Sequence, residues 1–139
     1  MAIYHLSVKT VSRAKGRSAT AAAAYRAGVE IADERTGEVH DYTRKSGVGH
    51  TEIILPRGAA PKFEDRSTLW NAAEQAERRK NSTVAREYEV ALPAELSAEE
   101  RKALACEYGH WLAERFKVGV DVAIHEPNKE GDQRNHHAH

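Results

Sequence analysis

The sequence predicts an α+β domain, with helices packed on one mainly antiparallel sheet. Two stretches alternate apolar and polar residues at the period of a half-buried strand. Three others carry small or apolar residues at helical spacing behind a capping residue. The resulting order is strand, helix, hairpin-like extended segments, helix, strand, helix, strand, strand.

The first strand covers residues 3 to 8, where Tyr4, Leu6 and Val8 share one side and His5 and Ser7 the other. After a loop rich in Lys, Gly and Ser, Ser18 is placed to cap a helix running to about Ala27, with Gly28 as its stop. Asp33-Glu34-Arg35-Thr36-Gly37 reads as a turn, and His50 to Leu55 as a strand ended by Pro56. Leu69, Ala72, Ala73 and Ala76 mark a second helix, with Ser67 as its expected cap and Arg78-Arg79-Lys80 against its C-terminal dipole. Residues 86 to 92 alternate, with Tyr88, Val90 and Leu92 on one face and Glu87 and Glu89 on the other. Ser97 and Glu100 form a capping box for a third helix, expected to turn Leu104, Tyr108, Trp111 and Leu112 inward. Trp70, on the second helix, is expected in the core as well. Val118 to Ile124 reads as a strand, and the last residues as the start of another.

With 139 residues, 40% hydrophobic and 30% charged, the chain fits one domain with a single core, and no run is long enough to span a membrane. No basic segment followed by an apolar stretch opens it, so no secretory signal is read. Cys106 is the only cysteine, which excludes an internal disulfide and a cage built from cysteines. A reducing, cytoplasmic setting follows. The net charge is zero, but it is unevenly spread. Residues 1 to 29 carry Lys9, Arg13, Lys15, Arg17 and Arg26 and no acid, leaving 16 basic against 21 acidic residues in the remainder. A basic N-terminal face can steer a polyanion, although solvated loop cations are the plainer reading.

Four of the eight histidines fall in the last fifteen residues. In an extended strand, His137 and His139 point to one face while Ala138 turns to the packed one. His125 closes the preceding strand, and a hairpin brings it to the same spot. Three neutral imidazoles suit a divalent cation with positions left for water or substrate. The alternative is a flexible histidine-rich tail or the remnant of a tag. His136 faces away with Ala138, and His5, His40, His50 and His110 have no arrangement that marks them out. Tyr25, among alanines, reads first as a core residue, and Glu87 as an exposed carboxylate. A tyrosine hydroxyl can nonetheless attack a phosphodiester polarised by a cation, with Arg17 and Arg26 as phosphate partners.

Several segments in order along the chain resemble the MobA/MobL relaxases, including the nicking portion of TraA-type transfer proteins. They are Met1-Ala2-Ile3-Tyr4-His5-Leu6, Gly16-Arg17-Ser18-Ala19, Tyr25-Arg26-Ala27-Gly28, Asp33-Glu34-Arg35 with His40-Asp41-Tyr42, and Leu69-Trp70-Asn71. Arg79-Lys80-Asn81-Ser82, Ala85-Arg86-Glu87, Ala91-Leu92-Pro93, Asp121-Val122-Ala123-Ile124-His125 and the closing Asn135-His136-His137-Ala138-His139 continue the match. Position 136 is commonly proline in the family, and histidine here departs from that pattern.

The resemblance implies a five-stranded antiparallel sheet with the paired-histidine strand central. Residues 1–139 would form the DNA-nicking domain, with the C-terminal part of the fold missing and metal affinity correspondingly weak. It implies Tyr25 as nucleophile, with Glu87 as base or metal helper and Glu89 as fallback. His125, His137 and His139 would be ligands of a divalent metal ion (Mn, Mg, Ni or Zn). Lys9, Arg13, Lys15, Arg17 and Arg26 are the expected DNA contacts. The implied reaction is nicking and rejoining of single-stranded origin-of-transfer DNA through a 5′-phosphotyrosine. It would take place in the bacterial cytoplasm, with accessory relaxosome proteins and a type IV secretion coupling protein as partners. A rolling-circle replication initiator is the first rival, but there the histidines precede the tyrosine. A water-activating metallohydrolase would need an added carboxylate ligand, for which Asp121 or Asp132 is the nearest candidate. A non-catalytic DNA-binding or metal-binding module is the third.

Overall fold

The computed structural model describes residues 5–139 and bears out the α+β architecture. The expected placement of Tyr4 falls outside the described residues. β1 (Leu6–Ser12) leads to α1 (Ala19–Ala27), then a hairpin of β2 (Glu30–Ala32) and β3 (Val39–Asp41). β4 (Val48–Ile54), α2 (Arg66–Ala76), β5 (Thr83–Leu92), α3 (Ala98–Phe116), β6 (Val120–His125) and β7 (His136–Ala138) follow. Five strands make one sheet in the order β1-β5-β7-β6-β4, with every neighbouring pair antiparallel. The paired-histidine strand β7 is therefore central. Its ladder is short, running Val90↔Ala138 to Leu92↔His136 on one side and Ile124↔Ala138 and His125↔His137 on the other.

Helices cover both faces. α3 packs on the face carrying Ile54, Leu92, Val122, Ile124 and Ala138, against Ala105 and Ala113. Gly109 permits that approach, since a Cβ there would stand 2.9 Å from Ile54 Cδ1 and 3.1 Å from Val122 Cγ2. On the other face, α1 and α2 pack together around Ala19, Ala23, Ala24, Ile31 and Trp70. Four alanines of α1 are buried (Ala19, Ala23, Ala24 and Ala27), and their small side chains bring its backbone close to the sheet. A cleft of about 1100 Å³ is lined by Thr83–Tyr88 of β5, Val118–Val122 around the start of β6 and apolar side chains of all three helices.

Local signals set most boundaries. The Ser18 hydroxyl accepts the Ala21 N–H at 3.1 Å, and Gly28 closes α1 at φ +67°. The Ser97–Glu100 capping box forms as read. Two expectations for α2 are corrected. Its cap is Asp65, whose carboxylate accepts the Thr68 N–H at 2.9 Å, and not Ser67. It ends at Ala76, so Arg78-Arg79-Lys80 lie beyond its last turn. On α3, Leu112 is buried as expected, but Leu104 is 44% and Trp111 54% exposed, because the sheet covers a narrower stripe of the helix than its apolar residues span. Trp70 is partly buried, and its Nε1–H donates to Asp121 Oδ2 at 2.8 Å.

Candidate metal centre and active site

β6 and β7 carry His125 and His137 as direct cross-strand partners, and His139 extends the same face by one alternation. Paired backbone hydrogen bonds between His139 and Ala123, each 2.8 Å, hold the chain end against β6. The three imidazoles form a triangle with centroid separations of 5.2, 4.8 and 5.2 Å, and one ring nitrogen from each lies within 4.8 Å of the others. Ala138 turns to the opposite face and into the core.

The nitrogens are sorted by partners that only accept. His125 Nε2 donates to the Arg26 backbone carbonyl at 2.8 Å, which leaves Nδ1 with its lone pair. His139 Nδ1 donates to Glu87 Oε1 at 2.9 Å, and His137 Nδ1 to the Asn135 carbonyl at 3.2 Å, which leaves both Nε2 atoms available. An outer acceptor fixing the tautomer of each imidazole is the pattern of a metal-binding histidine. Burial above all, with the Lys45 ammonium nearby, outweighs the hydrogen bond to the Arg26 carbonyl and pushes the His125 imidazole down to about 4, so it is neutral at physiological pH. The residues present fit a divalent cation.

Glu87 sits at the centre of the polar network. Its Oε1 also meets Arg26 Nε at 2.7 Å. The His139 hydrogen bond, then the Arg26 charge, outweigh its half-burial and hold the carboxyl below its usual range. Among alternative carboxylate ligands, Asp121 is bidentate to Arg66 (2.7 and 3.0 Å), and Asp132 pairs with Arg134. Neither joins the histidines.

Tyr25 is 44% exposed, so the core reading does not hold. The buried alanines of α1 turn it to solvent. Lys45 stands 3.8 Å over its ring and donates to its backbone carbonyl at 2.7 Å. Arg26 lies 5.1 Å from the ring centre, and Tyr42 meets it edge-on at 5.2 Å. Burial, then Arg26, lower the Lys45 ammonium, partly opposed by Glu87. Sequence reasoning missed Lys45, which has no spacing relation to Tyr25.

Of the expected DNA contacts, Lys9, Lys15 and Arg17 are exposed. Arg26 meets Glu87 through Nε and keeps a partly exposed side chain. Arg13 is corrected: its guanidinium pairs with Glu74 (Nη2–Oε2 2.8 Å) and donates to the Glu74 and Glu77 carbonyls, tying β1 to α2. Glu74 is itself fully buried and also accepts the Ala19 N–H at 2.5 Å, so Arg13 balances a buried charge instead of facing solvent.

Comparison with known proteins matches residues 17–139 to the MobA/MobL family. The chain is 57% identical over 133 residues to mobilization protein MobL of Acidithiobacillus ferridurans, covering 96% of this chain and 34% of that protein. It is 42% identical over 126 residues to conjugal transfer protein TraA of Rhizobium radiobacter, covering 81% and 11%. The chain thus spans about a third or less of these relatives. A structure solved for the molecular basis of vancomycin resistance transfer in Staphylococcus aureus superposes with a TM-score of 0.90 at 41% identity, covering 99% of this chain and 68% of that one. With fold and sequence in agreement, the chain belongs to the MobA/MobL family.

Proposed function

We propose that this chain is the DNA-nicking domain of a plasmid mobilisation relaxase, cutting and rejoining one strand at an origin of transfer. The observation that carries the reading is the convergence of His125, His137 and His139, each with one nitrogen held and one free, beside a helix that turns Tyr25 to solvent. The mobilization and conjugal transfer names of its relatives support it.

His125 through Nδ1 and His137 and His139 through Nε2 would hold the cation (Mn, Mg, Ni or Zn), which supplies Lewis-acid polarisation of a non-bridging phosphate oxygen when bound. Tyr25 Oη attacks the phosphorus as the bond to the 3′-oxygen breaks. The phenolic proton is lost and the departing 3′-oxygen takes one up, giving a 5′-phosphotyrosine and a free 3′-hydroxyl. The reverse step reseals the strand. Glu87 acts by orienting His139 and Arg26, because its carboxylate already accepts from both. Lys45 and Arg26 offer positive charge to the phosphate, and Lys9, Lys15 and Arg17 to the flanking single strand. Accessory relaxosome proteins, a secretion coupling protein and a bacterial cytoplasmic setting accompany the reading. No described helix is long and apolar enough to cross a membrane.

The test incubates the chain with single-stranded origin DNA and Mn or Mg. The expected product is a denaturant-resistant protein–DNA adduct that disappears in Tyr25→Phe. An adduct surviving in Tyr25→Phe would move the nucleophile elsewhere, with Tyr42 next to test. DNA cleavage without any adduct would favour a hydrolase.

A further inference from the structure

A second cluster of ligand-type side chains lies on the other face of the sheet. In β4, His50 and Glu52 are two residues apart and share a face. They pair across the ladder with Ile124 and Val122, which pack against α3. Both side chains therefore stand on the α3 side, where the middle of the helix brings Cys106 to them. A ring nitrogen of His50, a carboxylate oxygen of Glu52 and the Cys106 sulfur all lie within 4.8 Å of one another.

Two features distinguish this trio from ordinary packing. His50 Nε2 is shielded from solvent and has no hydrogen-bond partner, standing 3.5 Å from Glu52 Oε1. A buried, unpaired imidazole nitrogen is costly unless something fills its position. The second feature is charge: a thiolate and a carboxylate together carry the two negative charges that balance a divalent cation, with a neutral imidazole as third donor. Burial, then the Glu52 carboxylate, push the Cys106 thiol up to about 11, so without a cation it is a poor nucleophile and a redox role fits badly.

We propose that His50, Glu52 and Cys106 bind a thiophilic divalent cation of the zinc class, clipping edge strand β4 to α3, separate from the three-histidine centre. Sulfur, nitrogen and carboxylate oxygen are the donors zinc accepts, and three protein ligands leave one position for water. Tetrahedral ligands at zinc distances stand about 3.4–3.8 Å apart; His50 Nε2 and Glu52 Oε1 already stand at 3.5 Å, and no pair of the trio's ligand atoms is more than 4.8 Å apart. The side chains of His50 and Glu52, 28% and 38% exposed, leave a path from solvent. Such a clip would hold β4, the outer neighbour of β6, and so stiffen the strand that carries His125 without touching the reaction.

Cobalt(II) provides the test, because the three-histidine centre has no sulfur. Titration of the reduced, metal-free chain is expected to give a thiolate-to-cobalt charge-transfer band in the near ultraviolet. The band should persist in the His125→Ala/His137→Ala/His139→Ala variant and vanish in Cys106→Ser. It should be lost or much weakened in His50→Ala and Glu52→Ala, with circular dichroism confirming their folds. If Cys106→Ser does not fold, the two strand variants carry the test alone. As a second readout, zinc should raise the Tm of the triple-histidine variant, and His50→Ala in that background should abolish the rise. Absence of the band at saturating cobalt overturns the proposal. So does a band unchanged by both His50→Ala and Glu52→Ala, which would mean cobalt meets the thiol alone.

Discussion

His125 Nε2 and the backbone carbonyl of Arg26 share a 2.8 Å hydrogen bond. Through it, the end of β6 is joined to α1 at the residue next to Tyr25. The same Arg26 reaches Glu87 with its side chain, and Glu87 holds His139. A single residue of α1 therefore touches the supports of two of the three histidines, and the histidine face and the tyrosine are positioned as one unit.

Glu87 is the support most open to test. Glu87→Ala removes the acceptor that fixes the His139 tautomer. Manganese affinity, read by isothermal titration, should fall about 10- to 100-fold. Glu87→Gln keeps an acceptor oxygen and should lose less. Unchanged affinity in Glu87→Ala would remove the carboxylate from the metal centre.

Lys45 holds Tyr25 by its ring and its backbone carbonyl. A cation–π contact of this kind is worth about 0.5–2 kcal/mol, so Lys45→Met should slow adduct formation about 2- to 30-fold. Metal affinity should change little. Rapid-quench measurement of adduct formation at saturating DNA checks this.

Arg13 and Arg17 are near in sequence but differ in task. Arg13→Ala removes the nearer of two cations on the buried Glu74 carboxylate, leaving Arg35 at 3.5 Å, and urea unfolding should show a loss of about 1–3 kcal/mol. Arg17 is exposed. Arg17→Ala should leave stability nearly unchanged and lower the salt dependence of single-stranded DNA binding by about 0.7 in log–log slope.

Asp33 governs the acid side of stability. It is 2% exposed. Burial raises its carboxyl, but hydrogen bonds from the Thr20 hydroxyl (2.6 Å) and the Thr36 and Arg35 N–H groups, with the Arg35 charge, prevail and hold it below 3.8. Because its folded-state pKa is depressed, its contribution is complete above the ordinary carboxylate range and disappears as pH falls through and below it. The Tm of the parent chain should drop between pH 5 and pH 3 by more than that of Asp33→Asn, with both starting points measured near pH 7. Parallel curves would assign acid unfolding to other carboxylates.

What the sequence determined by itself is what acts over three or four residues. The Ser18 cap, the Gly28 stop, the Ser97–Glu100 capping box and the alternation that sends His137 and His139 to one face and Ala138 to the other are set by local backbone geometry. His125 could be added because a hairpin is nearly local too. The role proposed for Tyr25 came from resemblance, since spacing alone put it in the core. Tertiary structure decided its exposure, because burial depends on which side of α1 meets the sheet and α2. It also decided that Arg13 answers Glu74, 61 residues away, and that Lys45 reaches back 20 residues to Tyr25. The meeting of His50, Glu52 and Cys106 is of the same kind: a cysteine with no partner at short spacing gains two when α3 packs across β4. Periodicity specifies which face a side chain takes, and only packing specifies what that face meets.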